Sequence, residues 1–189
     1  MTGYHTLAET EQAVRDKLGD IPLQWQRMDA ISNLHRAAMA VRQHFENSVL
    51  RAADLTWTAF VVLWVVWIWG RKETHHVAAE AGITKGTLTG VVKTLESRGL
   101  LTRSRHPEDG RLVLLALTEQ GETLMHTLFP AFNAEEAFVT DQLSVAECTR
   151  LADSLRTIIT HLEEQGERRR AELHAGGFPP RRSGRRRRG

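Results

Sequence analysis

Two short predicted helices joined by a very short turn, with a predicted β-hairpin directly behind them, constrain this chain more than any other feature. The first helix covers residues 74–81, and Gly82 ends it because glycine tolerates the left-handed backbone that follows many helices. Thr84 offers an N-cap hydroxyl to a second helix, which runs to about Arg98 before Gly99 ends it. Two helices with so short a connection must cross steeply and pack on each other.

The hairpin follows at once. Residues 100–105 and 111–117 are β-prone runs, and the segment His106-Pro107-Glu108-Asp109-Gly110 between them contains a proline and an Asp-Gly pair, which are typical of tight turns. The sequence therefore predicts a helix-turn-helix over about residues 74–98 and a two-stranded wing over about residues 100–117.

The remaining pattern is helical. The apolar run Trp57–Trp69 is shorter than the roughly 20 residues that a membrane-crossing helix needs, so we expect a buried core helix. Residues 7–18 form a possible short helix, and the capping box at Ser144 opens a last helix. Amphipathic stripes at spacings of three and four mark the helix before the apolar run and the last helix: Ile31, Leu34, Ala38, Val41, Phe45 and Val49, then Leu151, Leu155, Ile158 and Leu162.

These elements predict a mostly α (α+β) fold, a winged helix-turn-helix with a helical dimerisation module. We expect an N-terminal extension over residues 1–21, the main domain over residues 22–165, and a disordered Arg/Gly/Pro-rich tail over residues 166–189. The basic tail is either a solvated terminus or, as we favour, a source of modest sequence-independent DNA affinity through counterion release.

Charge is distributed unevenly along the chain. The 25 Lys and Arg side chains nearly balance the 23 Asp and Glu side chains. Because nine arginines follow residue 167, the preceding body is acidic on average. Within that body, residues 84–111 hold six basic side chains against three acidic ones. A basic patch confined to one segment is typical of a surface that faces nucleic-acid phosphates.

Small, hydroxyl and lysine side chains occupy the outer face of the second helix, where they would allow close approach to a major groove. An arginine on the wing can reach a narrow minor groove, although Arg111 is equally able to form an ion pair with Asp109. The predicted DNA-binding residues are Thr84, Lys85, Thr87, Thr89, Lys93, Arg103, Arg105, His106 and Arg111.

Four motifs resemble the multiple-antibiotic-resistance regulator (MarR) family of bacterial transcription factors: GITKGTLT at residues 82–89, LESRGLL at 95–101, RHPEDGR at 105–111 and LTEQG at 117–121. In helix order and spacing the resemblance covers about residues 27–165. It implies a homodimer joined by its terminal helices on a pseudo-palindromic operator, with one recognition helix per half-site. It also implies that a small aromatic or phenolic anion can release the DNA.

Trp25 and Trp64 are candidate ligand-binding residues, although aromatic residues at helical spacing are more often plain core. Trp25 resembles a tryptophan of the urate-responsive branch of the family. The acidic side chain that contacts the ligand in that branch would fall near Val61 in this sequence. Because valine carries no charge, urate sensing is not expected.

No metal or other cofactor is expected. His75 and His76 are adjacent and point about 100° apart on a helix, and His35 and His44 are not a chelating pair on their own. Cys148, after the Ser144 cap, is expected to be an inert, partly buried thiol.

The expected function is sequence-specific repression of transcription in the cytoplasm, with double-stranded DNA as the main partner and no membrane association. We find no glycine-rich phosphate loop, nucleophile elbow or zinc-binding His-Glu-x-x-His, so the sequence does not favour an enzyme. The alternative is a winged-helix protein-interaction module without sequence-specific DNA binding. Its docking face would be expected to carry more apolar side chains than the predicted DNA contacts offer.

Overall fold

The computed structural model describes residues 5–177, which contain eight helices and three short strands. The helices are α1 (Leu7–Leu18), α2 (Trp25–Asn47), α3 (Val49–Ala52), α4 (Trp57–Trp69), α5 (Thr74–Glu80), α6 (Lys85–Ser97), α7 (Glu119–Val139) and α8 (Val145–Ala175). The strands are β1 (Lys72–Glu73), β2 (Leu101–Arg105) and β3 (Val113–Leu117). The predicted fold class, mostly helical with a small antiparallel sheet, is confirmed.

The chain divides into two compact units, Met1–Val139 and Thr140–Gly189. The first contains α1 to α7 and the whole sheet. The second contains α8, which begins with the predicted capping box: the Ser144 hydroxyl accepts a hydrogen bond from the Glu147 N–H, and the Glu147 carboxylate accepts one from the Ser144 N–H. Cys148, one residue further on, is half-buried.

The core of the first unit is built around α4. Val62, Leu63 and Val66 are fully buried, and α4 packs against α5, α6, α7 and β3. The whole of α4 was predicted to be buried, but Ile68 and Trp69 in its last turn are exposed. At that surface the Lys72 ammonium lies 6.0 Å from the centroid of the Trp69 ring, so an aromatic–cation contact replaces burial.

Within residues 5–177, no single helix has both the length and the apolar character to cross a membrane. The segments Trp25–Ala52 and Trp57–Trp69 pass that test only when taken together across a bend of 76°.

The sheet has the order β1–β3–β2, with both pairs antiparallel. In the predicted hairpin, Leu101 lies opposite Leu117 and Arg105 opposite Val113. The third strand, β1, was not predicted, because two residues are too few to show the alternation that marks a strand. Its pairing with the centre of β3 attaches the entry of α5 to the wing.

Two predicted boundaries were wrong. Helix α2 begins at Trp25 rather than at Pro22, because the Ile21 N–H donates to the Leu18 carbonyl (2.9 Å) and closes a turn there first. Helix α8 continues to Ala175, ten residues into the expected tail. One glycine inside a helix costs only about 1 kcal/mol relative to alanine, and the Arg168–Glu172 pair (3.1 Å) offsets part of that cost. Residues 178–189 of the expected tail lie outside the described residues.

Helix α7 begins close against the backbone that leads into β2. The Thr118 hydroxyl donates to the Gly99 carbonyl (2.5 Å) and accepts from the Gly121 N–H (3.0 Å). A Cβ at Gly121 would lie 2.2 Å from the Leu100 carbonyl oxygen, so only glycine fits there without a backbone shift.

Gly121→Ala should therefore lower the free energy of unfolding by about 1–3 kcal/mol, the usual cost of overpacking. Gly90→Ala is the matched control, since a Cβ at this exposed position in α6 meets nothing within 4 Å. There alanine should raise stability by up to about 1 kcal/mol. Thermal denaturation at one protein concentration measures both variants. An unchanged midpoint for Gly121→Ala would contradict the close approach.

Candidate nucleic-acid interface

The outer face of α6 is defined by what the inner face buries. Leu88, Val92 and Leu95, spaced by four and three residues, are almost completely buried in the core of the first unit. The opposite face of α6 points to solvent and carries polar side chains. All five residues predicted as DNA contacts in this region are exposed: Thr84, Lys85, Thr87, Thr89 and Lys93.

The hydroxyl groups on this face also stabilise the helix. Thr84 is the N-cap, and its oxygen accepts a hydrogen bond from the Thr87 N–H (3.1 Å) while lying 2.9 Å from the Thr87 hydroxyl. The Thr89 hydroxyl donates to the Lys85 carbonyl (2.9 Å). Lys85 and Lys93 have no ion-pair partner within residues 5–177, so their charges face solvent.

A groove of about 270 Å³ lies between α6 and the sheet. It brings together three predicted contacts, Lys85 and Thr89 from α6 and Arg103 from β2. Thr74, the first residue of α5, also lines this groove and was not among the predicted contacts. No local pattern could have identified Thr74, because it reaches the groove only once α5 packs beside α6.

Arg103 forms an ion pair that was not predicted. Its guanidinium lies 2.7 Å from the Glu96 carboxylate and so connects β2 to α6. Both groups remain partly exposed, and such pairs contribute at most about 1 kcal/mol in water. A DNA phosphate can therefore compete for Arg103, although the side chain is positioned first as a brace.

Two predicted contacts build the turn of the wing. The His106 Nδ1 accepts hydrogen bonds from the N–H groups of Glu108 (3.2 Å) and Asp109 (3.3 Å), so this ring holds the turn together. Of the two roles left open for Arg111, the structure shows the ion pair: its Nε lies 3.2 Å from Asp109, while the side chain is 91% exposed. Arg105 is exposed and has no ion-pair partner in the described part of the chain.

The pKa of Asp109 lies below the usual range for aspartate. The main cause is the hydrogen bonding from the Arg111 side chain, followed by that from the Arg111 backbone N–H (3.0 Å). The wing turn is therefore braced by an ionised carboxylate.

Arg98 contributes to the basic composition of the segment but not to this face. Its guanidinium donates hydrogen bonds to the backbone carbonyls of Asp54 and Ala53, the latter at 3.0 Å. It thereby fixes the turn before α4, where Asp54 has a φ of +52°. Charge counting along the sequence could not separate this structural arginine from arginines that remain exposed on the surface of the wing.

The two candidate ligand-binding tryptophans lie in different surroundings. Trp64 on α4 stacks on Phe129 of α7, with ring centroids 4.8 Å apart, and packs against the core. Trp25 begins α2, and the Arg15 guanidinium lies 5.9 Å from its ring centroid. A cleft of about 1000 Å³ lies instead between α1 and α2, and neither tryptophan lines it.

The sequence of this chain is similar to those of known transcriptional regulators. The sequence model of the MarR family matches residues 55–113, from just before α4 to the first residue of β3. The uncharacterized HTH-type transcriptional regulator YwaE of Bacillus subtilis is 32% identical over 162 residues, which cover 84% of this chain and 95% of YwaE.

Two solved structures show the same fold. One is that of BpsR from Bordetella bronchiseptica, whose DNA binding is regulated by 6-hydroxynicotinic acid. BpsR is 28% identical to this chain with a TM-score of 0.63, and the match covers 69% of this chain and 98% of BpsR. The other is NadR in complex with 4-hydroxyphenylacetate, at 25% identity and a TM-score of 0.58, covering 67% of this chain and 89% of NadR.

Arg111→Ala should raise the pKa of Asp109 toward the ordinary aspartate value, because the guanidinium hydrogen bonds are lost. Since folding lowers this pKa, the carboxylate stabilises the turn above the ordinary aspartate pKa, and the effect disappears as pH falls through the lowered value. Carboxyl ¹³C NMR titration of both proteins measures the change. Glu147, whose pKa is lowered by Ser144 in the α8 capping box, is the internal control. Superimposable Asp109 titrations would disprove the brace.

Proposed function

Because this chain belongs to the MarR family of HTH-type transcriptional regulators, we propose that it represses transcription by occupying promoter DNA as a homodimer. Family membership makes it a DNA-binding regulator and not an enzyme. The outer face of α6 is the observation that carries the proposal. Lys85, Thr87, Thr89 and Lys93 are exposed there on a helix whose opposite face is buried.

This face suits a major groove. B-DNA offers a major groove about 12 Å wide, and short hydroxyl side chains let a helix approach the base edges closely. Thr87 and Thr89 are the proposed base contacts, and Lys85 and Lys93 the proposed phosphate contacts. The wing adds Arg105, an exposed guanidinium suited to the negative potential of a narrow minor groove.

The proposed homodimer is supported by α8. This helix has an apolar stripe of which Leu151 is 47% and Leu162 59% exposed, and Ile158 is exposed as well. A long amphipathic helix with such a stripe needs an apolar partner. A second copy of the chain would cover the stripe and would present two α6 helices to an inverted repeat.

Repression is the proposed sign of regulation, because a protein seated on a promoter blocks polymerase without further machinery. A small aromatic acid is the proposed class of effector. The support is the regulation of BpsR by 6-hydroxynicotinic acid and the binding of 4-hydroxyphenylacetate by NadR. Trp64, half-buried among aromatic side chains, remains a candidate contact for such a ring, as does Trp25.

Selection of bound duplexes from a random pool, followed by affinity measurements at two salt concentrations, tests the proposal. Lys85→Ala removes one proposed phosphate contact from each protomer, so it should weaken binding to the enriched and the random duplex alike and reduce the salt slope of the dimer by about two. Thr87→Val should instead lose preference at one position of the half-site, at a cost of about 1 kcal/mol. The backbone cap from Thr84 is retained in this variant.

Lys17→Ala on α1 is the charge-matched control and should bind like the unaltered chain. Failure to enrich any sequence would reject the sequence-specific regulator and favour the protein-interaction module. Equal losses for Lys17→Ala and Lys85→Ala would show that α6 has no special role.

A further inference from the structure

Three side chains that commonly ligate metals meet where β1 passes into α5. Glu73 belongs to β1, and His75 and His76 lie in the first turn of α5. One ligand atom from each lies within 4.8 Å of the other two. The His75 Nδ1 is already 3.0 Å from a Glu73 carboxylate oxygen, and the centroids of the two imidazole rings are 4.0 Å apart.

We propose that Glu73, His75 and His76 bind a divalent transition-metal ion, with Zn²⁺ as the best match. Zinc takes imidazole nitrogens and carboxylate oxygens at about 2.0–2.2 Å, and tetrahedral bonds of that length separate the ligand atoms by roughly 3.4 Å. The Glu73–His75 separation is already close to that spacing. His76 is exposed and can close the remaining distance by rotating its side chain, and water completes the shell.

The backbone on both sides of the cluster is fixed. Glu73 pairs with Leu114 of β3, and α5 is anchored by Val77 and Ala78, which are buried. The three ligands therefore come from ordered segments. The sequence did not lead us to expect a site, because two adjacent histidines diverge on a helix. Glu73 was not considered as a third ligand, because β1 was not predicted.

The cluster of Glu73, His75 and His76 adjoins the groove between α6 and the sheet. Thr74, between Glu73 and His75, lines that groove together with Lys85 and Arg103. A bound divalent cation would offset the Glu73 charge and add positive potential beside the proposed phosphate contacts. The metal-loaded protein should therefore bind DNA more tightly. This consequence rests on the proposed function, whereas metal binding itself does not.

Isothermal titration of Zn²⁺ into the tag-free, chelator-treated full chain tests the site. We expect one ion per chain. His75→Ala, His76→Ala and Glu73→Gln should each weaken binding by at least about tenfold, because even altering an outer-shell partner of a metal typically costs that much. His161→Ala, an exposed histidine on α8, is the matched control and should leave the affinity unchanged.

The absence of stoichiometric uptake, or uptake that survives in the double variant of His75 and His76, would overturn the site. The affinity for the selected duplex is then measured with and without Zn²⁺. Equal DNA affinities would overturn the coupling to DNA. If no duplex is selected at all, the proposed function fails while the zinc titration still decides the metal site.

Discussion

The burial of one face of α6 is the constraint on which the interface depends. Leu88, Val92 and Leu95 enter the core, and burying a side chain of this size stabilises the fold by about 1.5–3 kcal/mol. An exposed ion pair such as Arg103–Glu96 contributes at most about 1 kcal/mol. The apolar residues therefore set the rotation of α6 about its axis. The polar face is placed as a consequence.

The wing depends on the same core. Leu101 and Leu115 are buried on β2 and β3, so the base of the hairpin is anchored while its tip projects with Arg105 and the turn. The tip is held by local contacts, the His106 ring and the Asp109–Arg111 pair. Side chains that the sequence marks as candidate DNA contacts therefore also form intramolecular contacts. The weaker these intramolecular contacts are, the more readily the side chains can bind DNA.

Local signals in the sequence were sufficient to predict most of the helices and the β-hairpin. The Thr84 and Ser144 caps, the turn residues of the hairpin and the periodicity of the long helices each act within a few residues, and the structure has the corresponding elements. What escaped prediction depends on distant partners. Strand β1 exists only because β3 pairs with it, and the Arg98 brace reaches carbonyls more than forty residues away. The Glu73 ligand of the proposed metal site escaped for the same reason.

The proposed homodimer would place two copies of α6 in two half-sites on one face of a duplex. It is tested most directly by the stoichiometry and affinity on a selected inverted repeat, compared with the same duplex carrying about five extra base pairs, half a helical turn, between its half-sites. We predict two chains per intact repeat and a fall to nonspecific affinity after the insertion. One chain per duplex, with an affinity that the insertion leaves unchanged, would contradict this dimeric arrangement.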